Sequence, residues 1–453
     1  MKLDVRHNYL TLIVIHIAIG GICFLIPFLS KVVSLILFFG GLWYVIKNQN
    51  RNQEVLYVAS YITAIEVFFR MTNGMHFSEY GKYSIIILMV LGMFYSGIKK
   101  GSMIYVFFLI LLIPGILVGV QTLRFDTNIR KAIAFNISGP ACLGISAIYC
   151  VGRNITFEKI KDILTTMTLP LATVTTYIFL FTPSVKNVVT NTQSNFEASG
   201  GYGPNQVSTI LGLGMFLFFV QILFNSKNRK LVLINTALLA LVAFRAIVTF
   251  SRGGVITGLA MIGGLAFFTF IVLNLKAKGR FLVYLIVGFI LSMGIWAYSS
   301  LQTGGMIDKR YANQDIKGRE KESKLSGRET LMNTEIQMFL DNPILGVGVG
   351  KNKEYREELT GIEAASHNEI TRMLAEHGLF GIIAFVILLT VPMFMYLNNR
   401  QNIFLFSFAV FWALTINHAA MRLAAPAFIY ALSLLNIQFT DANETTVHRE
   451  QIN

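Results

Sequence analysis

The chain has 453 residues, 54% hydrophobic and only 14% charged, with a formal net charge of +14. Soluble domains carry roughly 25% charged residues, and a chain this apolar has too little polar surface to close one water-soluble core. A soluble enzyme is therefore excluded, and an all-α polytopic membrane protein is expected, because a spanning helix satisfies its own backbone hydrogen bonds.

Apolar runs that approach the roughly 20 residues a spanning helix needs begin near 9, 32, 55, 83, 103, 132, 165, 206, 231, 254, 281, 378, 402 and 423. About 12 to 14 transmembrane helices follow from spans of that length, with the run 32–46 short enough to be tilted, broken or re-entrant. The first run, 9–28, lacks a small-residue cleavage site and is followed at once by another, so it is expected to stay rather than leave as a signal peptide. Cys23, Cys142 and Cys150 all sit in apolar runs and read as small buried hydrophobes, with no disulfide framework.

Lysine and arginine gather in alternate loops, for instance Lys99, Lys100, Lys227, Arg229, Lys230, Lys276, Lys278 and Arg280. The basic excess thus reads as membrane topology rather than nucleic-acid binding, and it places both termini in the cytoplasm. The expected organisation is a helix bundle over 1–299, an extracytoplasmic helical loop domain over 300–377, C-terminal transmembrane helices over 378–437, and a cytoplasmic tail over 438–453. The segment 300–377 stands apart, with 11 basic and 13 acidic residues in 78. It shares its face with the polar loop 183–205, which ends Gly200-Gly-Tyr-Gly-Pro-Asn205, and the two loops are expected to meet.

Within the large loop, Ser326-Gly-Arg-Glu329 has the pattern of a capping box, and Met332, Ile336, Phe339 and Leu340 follow at helical spacing until Asp341-Asn-Pro343 stops the run. This predicts an amphipathic helix lying on the bilayer surface. A second box, Ser366-His-Asn-Glu369, precedes Ile370, Met373 and Leu374, with Gly378 placed to end that helix before the next span.

Several residues carry candidate chemistry. Ser251-Arg-Gly-Gly254 lies between two spans, where its glycines permit a tight turn or the close approach of a ligand. Arg252 there reads either as a lipid-headgroup anchor or as a substrate ligand. Arg245, seven residues earlier, needs an anion, for which Glu66 is one candidate, unless Glu66 instead pairs with Arg70 one turn away. Arg328 falls in a first helical turn, where its charge opposes the helix dipole unless an anion binds, and its planar guanidinium suits a diphosphate. His367 stands at a helix start, which disfavours the imidazolium and suits a general base. His377 and His418 have no zinc-ligand spacing, and no metal site is expected. Gly346-Val-Gly-Val-Gly-Lys351 imitates a nucleotide loop but lacks the surrounding strand and helix, and reads as a flexible turn whose backbone approaches substrate. The chain holds no Asp-any-Asp pair for a metal-bound nucleotide sugar.

Taken in order, Ser251-Arg-Gly, Gly327-Arg328, Asp341-Asn-Pro-Ile-Leu-Gly-Val-Gly348, Ser366-His-Asn368 and Ala375-Glu-His-Gly-Leu-Phe-Gly381 resemble the bacterial O-antigen ligase and polymerase superfamily, clearly so from about 200 to 395. The resemblance implies a metal-independent, cofactor-free membrane glycosyltransferase acting at the outer face of the bacterial inner membrane. It implies an undecaprenyl-diphosphate-linked glycan as donor, and lipid A core, protein or another lipid-linked glycan as acceptor. By the same resemblance Arg252 and Arg328 bind the donor diphosphate, His367 activates the acceptor hydroxyl, and Asn368 orients His367. Two other readings compete. A polysaccharide flippase or other transporter would have its site at the bilayer midplane between repeat-related helices, whereas these motifs cluster at one boundary. A cell-wall glycan polymerase would show an essential-aspartate signature, which the loop lacks.

Overall fold

The computed structural model describes residues 6, 8–321, 328–361 and 363–439, with the side chain of Arg328 outside that description. The first helices are α1 (Tyr9–Leu25), α2 (Phe28–Asn48), α3 (Glu54–Met71) and α4 (Tyr80–Ser96). A span interrupted just before Pro114 follows as α5 (Met103–Leu111) and α6 (Ile113–Thr122), then α7 (Ile129–Cys150), the strand β1 (Asn154–Thr156) and α8 (Phe157–Phe181). After the four-residue α9 (Val185–Val188) come α10 (Pro204–Val220), α11 (Arg229–Val248), α12 (Arg252–Val272) and α13 (Leu275–Gln302). The large loop builds α14 (Met306–Tyr311), α15 (Arg328–Asp341) and α16 (Lys351–Thr360). The chain returns through α17 (Glu369–Asn398), α18 (Leu405–His418), α19 (Ala425–Ser433) and β2 (Asn436–Gln438).

All fourteen apolar runs are helical, and the protein is an all-α multi-pass membrane protein. Among the described residues nine helices are long and apolar enough to cross a bilayer, and α1, α4 and α18 are shorter apolar helices. The run expected to be short is a full helix, Phe28–Asn48, of 21 residues. Helices α8 and α10 form the centre, each 78% buried over its apolar window, whereas α13 is 6% buried and leaves its sides to the surroundings. Cys23, Cys142 and Cys150 are free and buried.

Two faces are distinguishable. The parallel pairing of β1 with β2, Asn154 opposite Asn436, marks one. The polar segments gather at the other, here the loop face. There Thr192 donates to the Gln314 carbonyl at 3.0 Å and accepts from Lys321 at 2.8 Å, so the loops 183–205 and 300–377 do meet.

The glycines of the Ser251-Arg-Gly-Gly254 motif serve helix packing. A Cβ on Gly254 would lie 2.1 Å from the Ser208 carbonyl oxygen, and one on Gly212 would lie 2.0 Å from the Gly254 oxygen. Small residues let α10 and α12 touch backbone to backbone, a device typical of membrane helices. Here a neighbouring helix, not a ligand, takes up the space those glycines open.

The glycine loop 346–350 is likewise a packing device. Gly346, Gly348 and Gly350 have φ of 71°, 96° and 86°, the left-handed region that a side chain strains to reach. The loop lies against α6 and α17, with Val349 N donating to the Gly115 carbonyl at 2.9 Å and Val347 N to the Ala375 carbonyl at 2.8 Å. Much of its backbone is engaged by the protein, while Gly350 lines a cleft on the loop face.

Helix α15 ends at Asp341 as expected, but it buries a different stripe. Leu331, Thr334, Glu335 and Met338 face inward, while Ile336 and Leu340 are exposed. The reason is polar. Glu335 accepts from Thr371 of α17 and pairs with Arg356 of α16, and these buried partners fix the helix's rotation more strongly than its apolar residues do. The expected cap at Ser326 lies outside the described residues.

Candidate active site

The site is assembled from helix ends. Between α11 and α12 the chain turns through Phe250, whose φ of 59° is unusual for a non-glycine residue. Such a residue costs about 1–3 kcal/mol unless its surroundings hold it there. Arg310 of α14 does so, donating from Nε to the Phe250 carbonyl at 2.9 Å. The turn delivers Arg252, half-buried, to the first position of α12. Ser251 is anchored from both sides: its hydroxyl donates to Asn205 at 2.8 Å and its carbonyl accepts from Ser208 at 2.9 Å.

Around Arg252 the positive charge is concentrated. The Lys321 ammonium is pulled below its ordinary value by burial first, then by Arg310 and Arg252. Burial pushes the Tyr311 phenol up to about 12, with Arg252 and Arg310 pulling the other way. The Tyr311 hydroxyl is buried and has no hydrogen-bond partner among the described residues. Two guanidiniums, an ammonium and a hydroxyl therefore face one region, an arrangement suited to an anion with several oxygens.

His367, also half-buried, lines a small pocket of about 40 Å³ with Leu331, Met332, Glu335, Ser366, Asn368 and Asn417. Asn368, not Ser366, caps α17: its Oδ1 accepts from Ile370 N at 2.8 Å and Thr371 N at 3.3 Å. Ser366 instead brackets the turn, donating to the Asn368 carbonyl at 2.8 Å and accepting from its N–H at 3.2 Å. The helix thus starts two residues later than the capping-box pattern predicts, and His367 precedes the cap. Asn368 carries the helix start, and its Nδ2 donates to Asn417 of α18 at 3.3 Å.

The C-terminal end of α18 joins the two groups. Asn417 lines the His367 pocket, and the ring of the next residue, His418, packs so closely on Gly253 that a Cβ there would lie 2.4 Å away. Arg252 and His367 therefore stand on the same face, on either side of one helix end. Arg328 opens α15, and its side chain lies outside the described residues; Leu331 and Met332, one turn on, line the His367 pocket.

Arg245 does not pair with Glu66. It is 1% exposed, donates to the Thr182 carbonyl at 2.8 Å and stacks over Phe179 at 3.8 Å. Glu66 pairs with Arg70 at 2.8 Å, as its helical spacing allows. Arg70 also donates to the Tyr202 hydroxyl at 3.2 Å and the Arg422 carbonyl at 3.2 Å. Arg422 donates to the Ser366 carbonyl at 2.9 Å, and burial pulls its guanidinium below the ordinary value against Tyr202 and Glu369. Sequence reasoning missed Arg310, Tyr311, Lys321 and Asn417. The first three sat in a loop of mixed charge with no periodicity, and nothing local distinguished them.

Residues 237–386 match the model of a family described as O-antigen ligase. Over this segment, about a third of the chain, the protein is similar to that family. The segment contains Arg245, Arg252, Arg310, Tyr311, Lys321, Arg328, His367 and Asn368, whereas Tyr202, Asn205 and Asn417 lie on either side of it. No curated protein matches the chain. This match, over 150 of the 453 residues, supports a part in surface polysaccharide assembly of the O-antigen ligase type.

Proposed function

We propose that the protein transfers a glycan from an undecaprenyl-diphosphate carrier to an acceptor hydroxyl, at the outer face of the inner membrane. The observation that carries this reading is the convergence of Arg252, Arg310, Lys321 and Tyr311 on one side of the α18 end and His367 on the other. In the reaction the acceptor oxygen bonds to the anomeric carbon and the bond from that carbon to the carrier's phosphate oxygen breaks. The electron pair leaves with the diphosphate, and the hydroxyl proton passes to His367.

The leaving group gains charge as that bond breaks, and fixed cations stabilise it without reorganising at the moment of reaction. Arg252 supplies a guanidinium suited to bidentate donation, Arg310, buried and donating to Phe250, adds its charge, and Lys321 adds a point charge. Arg328 is assigned to the same diphosphate through its position at the start of α15. Asn368 acts on His367 indirectly, by fixing where α17 begins. Of ligase and polymerase, the ligase reading is preferred, with lipid A core, a protein or a lipid-linked glycan as the acceptor class.

The test is turnover in proteoliposomes carrying a lipid-linked glycan. Arg252→Ala and His367→Ala are expected to stay folded and lose transfer, whereas near-wild-type rates in both defeat the assignment. Lipid movement with no glycan product favours the flippase instead. In a deletion strain, lipid-linked long chains accumulate if a ligase is missing, and capped single repeat units if a polymerase is.

A further inference from the structure

A second, larger cleft opens on the loop face. It has a volume of about 940 Å³ and lies between the starts of α4 and α7, the loop after α6, and α16. Volumes of 300–1,000 Å³ are typical of ligand sites. Ser366 lines both this cleft and the His367 pocket, so a single residue separates them.

The electrostatics of the cleft differ from those around Arg252. Five basic and five acidic side chains line it. Two of the basic side chains pair with acidic ones of the lining, Arg124 with Glu357 at 3.1 Å and Lys353 with Glu363 at 2.5 Å, and Lys351 behind them pairs with Glu354 at 2.8 Å. With five charges of each sign the lining is formally neutral and offers many donors and acceptors. Three aromatic rings, Phe77, Tyr83 and Phe135, line the same cleft and are 46%, 36% and 43% exposed. Asn352 at its wall is 3% exposed, and its Nδ2 has no hydrogen-bond partner among the described residues. A buried amide is normally satisfied, and this one lines the cavity.

Flat partly exposed rings, paired charges and an unmet amide are what a sugar chain uses: ring faces for its C–H surfaces and polar groups for its hydroxyls. We propose that this cleft seats the acceptor as an oligosaccharide of low charge, with its reactive hydroxyl delivered past Ser366 toward His367. The assignment rests on the transfer reaction proposed above for the order of events, but the binding it describes is measurable without transfer.

The experiment uses the full chain in nanodiscs. The probe is a size-fractionated oligosaccharide released by mild acid from the envelope polysaccharide of the producing cells, labelled at its reducing end and followed by fluorescence polarisation. Saturable binding is expected, unaffected by excess inorganic pyrophosphate. Phe135→Ala, at an exposed position, and Asn352→Leu are each expected to weaken it about tenfold, the scale of a lost aromatic or polar contact. In the transfer assay the same variants raise the KM for acceptor and leave that for donor unchanged. The proposal is overturned if the wild-type protein shows no saturable binding, if pyrophosphate displaces the probe, or if Phe135→Ala binds as wild type does. Intact glycan binding by a protein that performs no transfer would instead remove the proposed reaction and leave the cleft assignment standing.

Discussion

The rim around Arg252 and the cleft beside α16 lie on one face and share the neighbourhood of Ser366, yet they handle charge in opposite ways. At the rim, burial first and then the nearby Arg310 and Arg252 depress the Lys321 ammonium, with Asp315 pulling the other way. In the cleft, basic and acidic side chains are equal in number, and Arg124 and Lys353 are paired with Glu357 and Glu363. Like charges held together by a fold store an unfavourable interaction that an incoming anion relieves, whereas paired charges have nothing to gain from one. In the two proposals that contrast becomes a diphosphate at the rim and a sugar chain in the cleft.

The largest expected effect falls on the frame that holds both regions. Arg356→Ala leaves Glu335, buried among α15, α16 and α17, without its cation. Burial already pushes the Glu335 carboxyl up against the pull of Thr371 and Arg356. Removing one partner of a buried pair costs about 3–5 kcal/mol, to be read as lowered thermal stability with both binding activities lost together. If the variant melts as wild type does, the two regions do not depend on that frame.

Next come the rim variants. Removing a single charge-stabilising donor costs about 100- to 1000-fold in rate, so Arg252→Ala and Arg310→Ala should each lose turnover on that scale while oligosaccharide binding stays intact. An equal loss of sugar binding would erase the distinction between the regions. Lys321→Gln should weaken inorganic pyrophosphate binding by about tenfold, as for one lost hydrogen bond to a charged group, measured by calorimetry. Its pH signature has a definite sign. Because the Lys321 ammonium is held below its ordinary value, it loses its proton earlier as pH rises, so wild-type affinity falls on the alkaline side. Lys321→Gln should lack that limb.

The smallest effect tests the cleft's neutrality. Lys353 and Glu363 are 48% and 61% exposed at their side chains, so Lys353→Ala should change stability by less than about 1 kcal/mol and leave pyrophosphate affinity where it was. A marked gain or loss of pyrophosphate binding would mean that the cleft carries a field of its own.

Much of this was legible along the chain because the signals are local. Each apolar run had the composition a spanning helix requires, and every one of them is a helix. Gly378 breaks α17 where expected, with φ 57° and ψ −133°. Glu66 and Arg70 pair because they lie one turn apart. Expectations failed where a neighbour distant in sequence decided the outcome. Gly254 admits α10 and Gly253 the His418 ring of α18, Gly346 and Gly348 admit α17 and α6, and α15 turns its Glu335 inward to reach Arg356 and Thr371.

Hydrophobic runs and the rarity of charge in them therefore determined where the apolar helices lie, and the motifs from Ser251 to Gly381 pointed to the family that residues 237–386 match. What only the tertiary structure decided is which helix ends come together. Arg310, Tyr311 and Lys321 join Arg252, and Asn417 joins His367, because α12, α14, α17 and α18 all present an end at one face. A helix repeat fixes contacts within a turn of the same element, but convergence of the ends of four helices depends on how whole helices pack, and no local pattern encodes it.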